Sequence, residues 1–207
     1  MGEKFKGKFR IPSIRLQGYD YGSTGLYFVT ICTKNRLHYF GEISDSQTGN
    51  TVETDNYPSL RPTTIGLTSI DFWLEIPQHF PFVELDAFVV MPNHIHGILS
   101  FNKPDKTDWI PNKFGSQSQN LGAVIRGFKS SVKRFANQNN IDFEWQTRYH
   151  DHIIRNEAAL NAIRRYIINN PSNWLKDSLN KSNLESNAKQ SSIEIEQELD
   201  NLIKDNI

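Results

Sequence analysis

The stretch 83–101, VELDAFVVMPNHIHGILSF, constrains the fold more than any other part of the chain. VELDAFVV (83–90) and HIHGILSF (94–101) are each of strand length and rich in apolar and β-branched residues. Met91-Pro92-Asn93 between them leaves room only for a tight connection, so the two runs must pair as an antiparallel hairpin. Apolar residues on both sides of the turn make this a rigid, central element.

The other elements arrange themselves around it. LYFVTICT (26–33) reads as a buried strand, and FEWQTRYHDHIIR (143–155) as a strand with an irregular start. Ile65, Ile70, Trp73, Leu74 and Ile76 suit a helix facing a core and stopped by Pro77. Leu121, Val124, Ile125, Phe128, Val132 and Phe135 recur at helical spacing and predict a second helix ending near Asn137. Asn156 is placed to cap a third, with Leu160, Ile163 and Ile167 as its apolar face and Pro171 as its stop. The order is β-α-β-β-α-β followed by a helix. It is an α+β chain in the ferredoxin-like split arrangement, with an antiparallel sheet. Residues 44–62 and 102–119 are polar and rich in turn formers and read as variable loops, the first alternatively as a mobile hairpin.

With 207 residues the chain suits one domain with appendages. Thirteen Phe, seven Tyr and four Trp exclude wholesale disorder. Cys32 is the single cysteine, which excludes a disulfide framework and a thiolate metal cluster. No apolar run approaches the ~20 residues of a membrane helix, and the polar, basic start is unlike a signal peptide. The expectation is a cytoplasmic protein with no membrane partner.

The net charge of zero hides an asymmetry. Residues 182–207 hold six acids and two bases, leaving 21 bases against 17 acids in 1–181. Lys4, Lys6, Lys8 and Arg10 cluster near the start, interleaved with Phe5 and Phe9. Hence the expected organisation is a basic arm (1–25), a body (26–175) and an acidic tail (176–207). Arm and tail are read either as solvated segments or as a polyanion-facing surface with an acidic counterpart.

Three groups of residues could carry chemistry. His94 and His96 project from one face of a strand, with Ile95 turned the other way, and make half a metal site. The bland alternative is two histidines on a half-exposed face. His150 and His152 repeat the spacing around an acidic centre, a weaker rival. Tyr166 and Asn170 lie four apart on the third helix and share a face. That tyrosine is either a core residue or a nucleophile, and Asn170 either a hard oxygen ligand or a routine helix end. The second helix carries Arg126, Lys129, Lys133 and Arg134 without one acid between Gly122 and Asn140, a stripe suited to phosphates.

Together FVVMPNHIHGIL (88–99), LGAVIRGFKSSVKR (121–134) and WQTRYHDHIIRNEAALNAIRRYIINNPSNW (145–174) resemble the REP-associated tyrosine transposases, a branch of the single-tyrosine HUH transposases. The resemblance runs from about Leu26 to Trp174. It implies that His94 and His96 bind a divalent metal, Mg²⁺ or Mn²⁺, that Asn170 completes the site, and that Tyr166 is the nucleophile. No nucleotide cofactor is implied. The substrate would be single-stranded DNA beside a short hairpin, cleaved and rejoined through a covalent 5′-phosphotyrosine. Arg126, Lys129, Lys133 and Arg134, with Trp145, Arg148, His152 and Arg155, would line the DNA, joined by Lys4, Lys6, Lys8 and Arg10 of the arm. Relatives act as monomers or homodimers, and a monomer is the expectation here. Two other readings stay open: a catalytically idle hairpin-binding module or regulator, and a metal-dependent nuclease that uses water.

Overall fold

The computed structural model describes residues 4–5, 8–9, 16, 18–44, 59–103, 119–180, 197 and 201. Lys6, Arg10, the tips of both expected loops and nearly all of the acidic tail lie outside them. In the arm, β1 (Lys4–Phe5) and β2 (Lys8–Phe9) form a small antiparallel pair.

Four strands build the main sheet: β3 (Gly25–Cys32), β6 (Val83–Met91), β7 (His94–Phe101) and β8 (His150–Ile154). Their spatial order is β6-β7-β3-β8, and every pairing is antiparallel. This is the ferredoxin-like order expected from the sequence. The hairpin closes as its length requires, with Met91 opposite His94 and only Pro92 and Asn93 between. The expected loop 44–62 begins and ends in a paired β4 (Gly41–Ser44) and β5 (Ser59–Pro62).

One sheet face is covered by α1 (Thr64–Leu74), the single turn α2 (Ile76–His79) and α3 (Leu121–Gln138). Trp73, Phe128, Val132, Ile95 and Leu99 meet in that layer. Pro77 does not simply stop the first helix. Glu75 ends α1, and Pro77 sits in the first turn of α2, where its missing N–H costs nothing. Leu74, expected in the core, is half-exposed at the end of α1. The opposite face receives α4 (Glu157–Asn169), whose Leu160, Ile163 and Ile167 pack on Phe28, Ile98 and Ile154. Asn156 caps α4 as expected, its Oδ1 accepting from the Ala159 N–H at 2.8 Å. The predicted strand 143–155 shrinks to β8, because 143–149 runs irregularly with one bridge, Trp145 to Thr33.

Gly97 follows the two histidines because no side chain fits there. A methyl on its Cα would lie 2.3 Å from the Trp73 ring, which stacks against Phe88. The indole thus packs directly on the backbone of β7 and fixes its height above α1. Gly97→Ala is therefore expected to destabilise the protein by about 2 kcal/mol or more, read as a lower urea midpoint at unchanged slope.

Candidate metal centre and tyrosine

Strand register decides which side chains share the α4 face. His94 is opposite Cys32, His96 is opposite Thr30, and Thr30 is opposite His150. Residues directly opposed point the same way, so both His-x-His pairs lie on one face instead of forming separate sites. His94 and His96 are fully buried, their rings 4.4 Å apart between centroids.

Each ring is held by a partner on its far nitrogen. Asn93 directs its Nδ2 at two carbonyls, Arg36 O (3.1 Å) and Leu179 O (2.8 Å). Its Oδ1 therefore faces His94 Nδ1 at 2.8 Å, and that nitrogen must be the donor. His94 Nε2 is left with its lone pair, buried and without a hydrogen-bond partner. On His96, Nδ1 lies 2.8 Å from the Thr30 hydroxyl, which can accept its proton. His96 Nε2 then accepts from the Tyr166 hydroxyl at 3.3 Å. Carbonyl and hydroxyl acceptors behind the imidazoles are the arrangement that aims metal-binding lone pairs forward.

Burial pushes His94 down to about 3 and His96 well below its ordinary value, so both are neutral near pH 7. Asn170 comes close enough to His94 to oppose its shift, but outside hydrogen-bonding geometry.

A carboxylate absent from the sequence reading completes the cluster. Asp177 is buried, and its Oδ2 lies 3.7 Å from His94 Nε2. Burial raises its carboxyl, while the Leu179 N–H that donates to Oδ1 at 2.7 Å and the nearby Arg36 cation pull the other way. His94, His96 and Asp177 offer ligand atoms within 4.8 Å of one another. Asn170, at the end of α4, is 3% exposed. Its Oδ1, Asp177 Oδ2 and His94 Nε2 are buried polar atoms with no hydrogen-bond partner. Such orphans are costly unless something binds them, and a nitrogen-and-oxygen donor set of this kind fits a divalent cation. Asp177 falls beyond the boundary expected at 175. Its signal was Trp174, an aromatic that continues the packing. Trp174 and Leu179 are buried on either side of Asp177, so packing extends through this segment.

The expected DNA contacts scatter. Arg126 and Arg134 are exposed on α3, on the sheet face away from the histidines. Lys129 Nζ donates to Gln146 O (2.5 Å) and Arg148 O (3.3 Å), and Lys133 Nζ to Phe143 O (2.6 Å) and Glu144. Both lysines thus tie α3 to the irregular 143–148 segment. Trp145 is buried among Phe40, Phe128 and Phe143, and its indole N–H donates to Lys129 O. Arg148 and His152 are half-buried, with His152 on the α4 face, and Arg155 is exposed after β8. Of the arm, Lys4 and Lys8 lie in its paired strands.

An uncharacterized protein of Haemophilus influenzae is 37% identical to this chain over 178 residues, 81% of this chain and 91% of its own length. The chain belongs to that protein's family. No protein-family model matches it. Two solved structures show a partial likeness. One is a REP-associated tyrosine transposase bound to a REP hairpin, with 18% identity, TM-score 0.49, and 79% of this chain and 74% of that one covered. The other is a candidate transposase of Deinococcus radiodurans, with 20% identity, TM-score 0.35, and 76% and 97% covered. At those levels neither bears on what this chain does.

Two outcomes follow. Asn93→Ala should weaken Mn²⁺ binding about 10- to 100-fold, measured by calorimetry on protein shown folded by circular dichroism. In chelator-treated protein, unfolded His94 and His96 take up protons below pH ~6.5 that the folded state refuses. Stability should therefore fall from pH 7.5 to 5.5 by roughly 1 kcal/mol per histidine, partly offset by Asp177, whose raised carboxyl has the opposite sense. Urea midpoints at the two pH values check this. A flat profile would contradict burial in the neutral form.

Proposed function

We propose that this protein is a metal-dependent DNA strand transferase that uses Tyr166 as nucleophile on single-stranded DNA beside a hairpin. The observation that carries the reading is the Tyr166 hydroxyl lying 3.3 Å from His96 Nε2, at the edge of the buried donor cluster. A tyrosine serving only as packing would have no need to bring its hydroxyl to a histidine pair with aimed lone pairs.

His94 and His96 would hold the cation, with Asn170 and Asp177 supplying oxygens. Bound there, it would offset charge developing on the scissile phosphate and orient it. Tyr166 is half-buried, its ring edge-on to Phe28 at 6.3 Å, so its reach is limited and its hydroxyl is presented from the end of a packed helix. Attack would form the tyrosine–phosphorus ester and break the bond from phosphorus to the 3′ oxygen. The phenol gives up its proton and the departing oxygen gains one. The ester conserves the bond energy, so rejoining needs no nucleotide cofactor. The sequence resemblance supplies the polarity of the ester and the hairpin substrate.

Asp177 favours a second reading. A buried carboxylate beside a metal could instead activate water, making the protein a nuclease.

The test uses end-labelled hairpin oligonucleotides with Mg²⁺ or Mn²⁺ on a denaturing gel. Wild type should give a covalent protein–DNA band, and Tyr166→Phe should lose it while still binding DNA. Cleavage without a band, unchanged in Tyr166→Phe, would establish the nuclease instead.

A further inference from the structure

The edge strand β6 carries an irregularity that the proposed chemistry leaves unexplained. Leu85 pairs with Leu99 and Phe88 with Gly97, so Asp86 and Ala87 together stand opposite Ile98. Ile98 faces α4, and Ala87 packs in the same layer. Two residues opposing one is a bulge, and a bulge re-aims a side chain. Strict alternation along β6 could not put both Asp86 and Ala87 on the α4 side.

What the bulge aims is a carboxylate. Asp86 Oδ1 accepts from the Ala87 N–H at 2.6 Å, which satisfies the bulge's own backbone. Oδ1 also accepts from Arg164 Nε at 2.9 Å, and Oδ2 from Arg164 Nη2 at 2.6 Å. The pair is bidentate, a fork with fixed orientation as well as attraction. The guanidinium holds the Asp86 carboxyl below its ordinary value.

Arg164 lies on α4, two residues before Tyr166. At 100° per residue the two side chains stand about 160° apart around the axis, on opposite flanks of the stripe formed by Leu160, Ile163 and Ile167. An apolar stripe resists separation of helix and sheet but only weakly resists rolling. A tyrosine hydroxyl some 8–9 Å from the axis moves by roughly 1.5 Å for a 10° roll. A fixed fork on one flank therefore sets the reach of the hydroxyl on the other.

We propose that Asp86 and Arg164 are positioning residues for Tyr166: the bulged edge strand holds the roll of the tyrosine helix. This rests on the strand-transferase reading for its kinetic test. A displacement of about 1 Å at a reacting atom can cost on the order of 100-fold in rate.

The experiment is a double-mutant cycle on adduct formation, with Asp86→Ala, Arg164→Ala and the pair. The full chain is used with Mn²⁺ and a hairpin oligonucleotide. Each single variant should lower the rate at saturating DNA by about 10- to 100-fold, with half-saturation unchanged within about threefold. The double variant should be no slower than the worse single, because both break one fork. Arg164→Lys, which keeps charge but not the fork, should fall between. Multiplicative losses would overturn the proposal. So would a rise in half-saturation for Arg164→Ala not matched by Asp86→Ala, which would mean that Arg164 touches DNA itself.

A second measurement does not need the reaction. The rings of His96 and Tyr166 lie 5.1 Å apart, close enough for a cross-relaxation signal in selectively labelled protein. That signal should weaken in Asp86→Ala and Arg164→Ala alike, and its full retention would refute the latch. If wild type forms no adduct while the signal still responds, the strand-transferase reading fails and the latch stands.

Discussion

Asn93 occupies the tight turn between β6 and β7, is fully buried, and uses its amide to join three parts of the chain. One donor reaches Arg36 O, which a left-handed backbone at Asn35 and Arg36 turns inward. The other reaches Leu179 O, in the segment that brings in Asp177. The acceptor takes the His94 Nδ1 proton. Tautomer, turn and the placement of Asp177 are thus coupled through one side chain. An aspartate there would have no donors for the two carbonyls, and a leucine would leave three buried groups unsatisfied.

The site around it is held in a state that water would not choose. Two neutral imidazoles, an asparagine oxygen and a carboxylate are gathered out of solvent, with the Arg36 cation near enough to act on both His94 and Asp177. Rigidity makes this tolerable. His94 and His96 sit on a strand paired on both sides, with Trp73 pressed on its back at Gly97. Side chains on such a strand cannot swing away to find water. The donors stay converged, and the cost of their burial becomes affinity for whatever satisfies them.

The hairpin, the order of elements along the chain and the Asn156 cap were legible because each has a local cause. A two-residue connection permits one pairing, apolar periods of 2 and 3.6 separate strands from helices, and Asn156 announces a helix start. His94, His96, Tyr166 and Asn170 could be picked out because their spacing places them on shared faces. Asp177 was hidden, since a single acid after a proline-terminated helix looks like the start of a polar tail. Only tertiary packing of Trp174 and Leu179 brings it back. The Asp86 bulge was hidden for a similar reason: VELDAFVV alternates well enough to pass for a regular strand, and an extra residue shows only against a partner's register.

Charge was the least transferable reading, and lysine shows why. Lys129 and Lys133 appear in the sequence as a phosphate-facing stripe, yet their ammonium groups are donated to the protein's own carbonyls. Burial brings Lys129 down to about 8. Lys103 behaves alike, lying over Phe82 and donating to Gly22 O at 2.7 Å and to Gln119 O, which joins the two residues flanking 104–118. A long flexible stem with a compact head can bury its methylenes and still find carbonyls, so a lysine's charge says little about where it points. Arg126, Arg134 and Arg155 are exposed instead. Arg126 and Arg134 stand on the sheet face opposite the histidines. A nucleic acid reaching both α3 and the tyrosine would have to pass around an edge of the sheet, where the β8 side offers Arg155 and the half-buried His152.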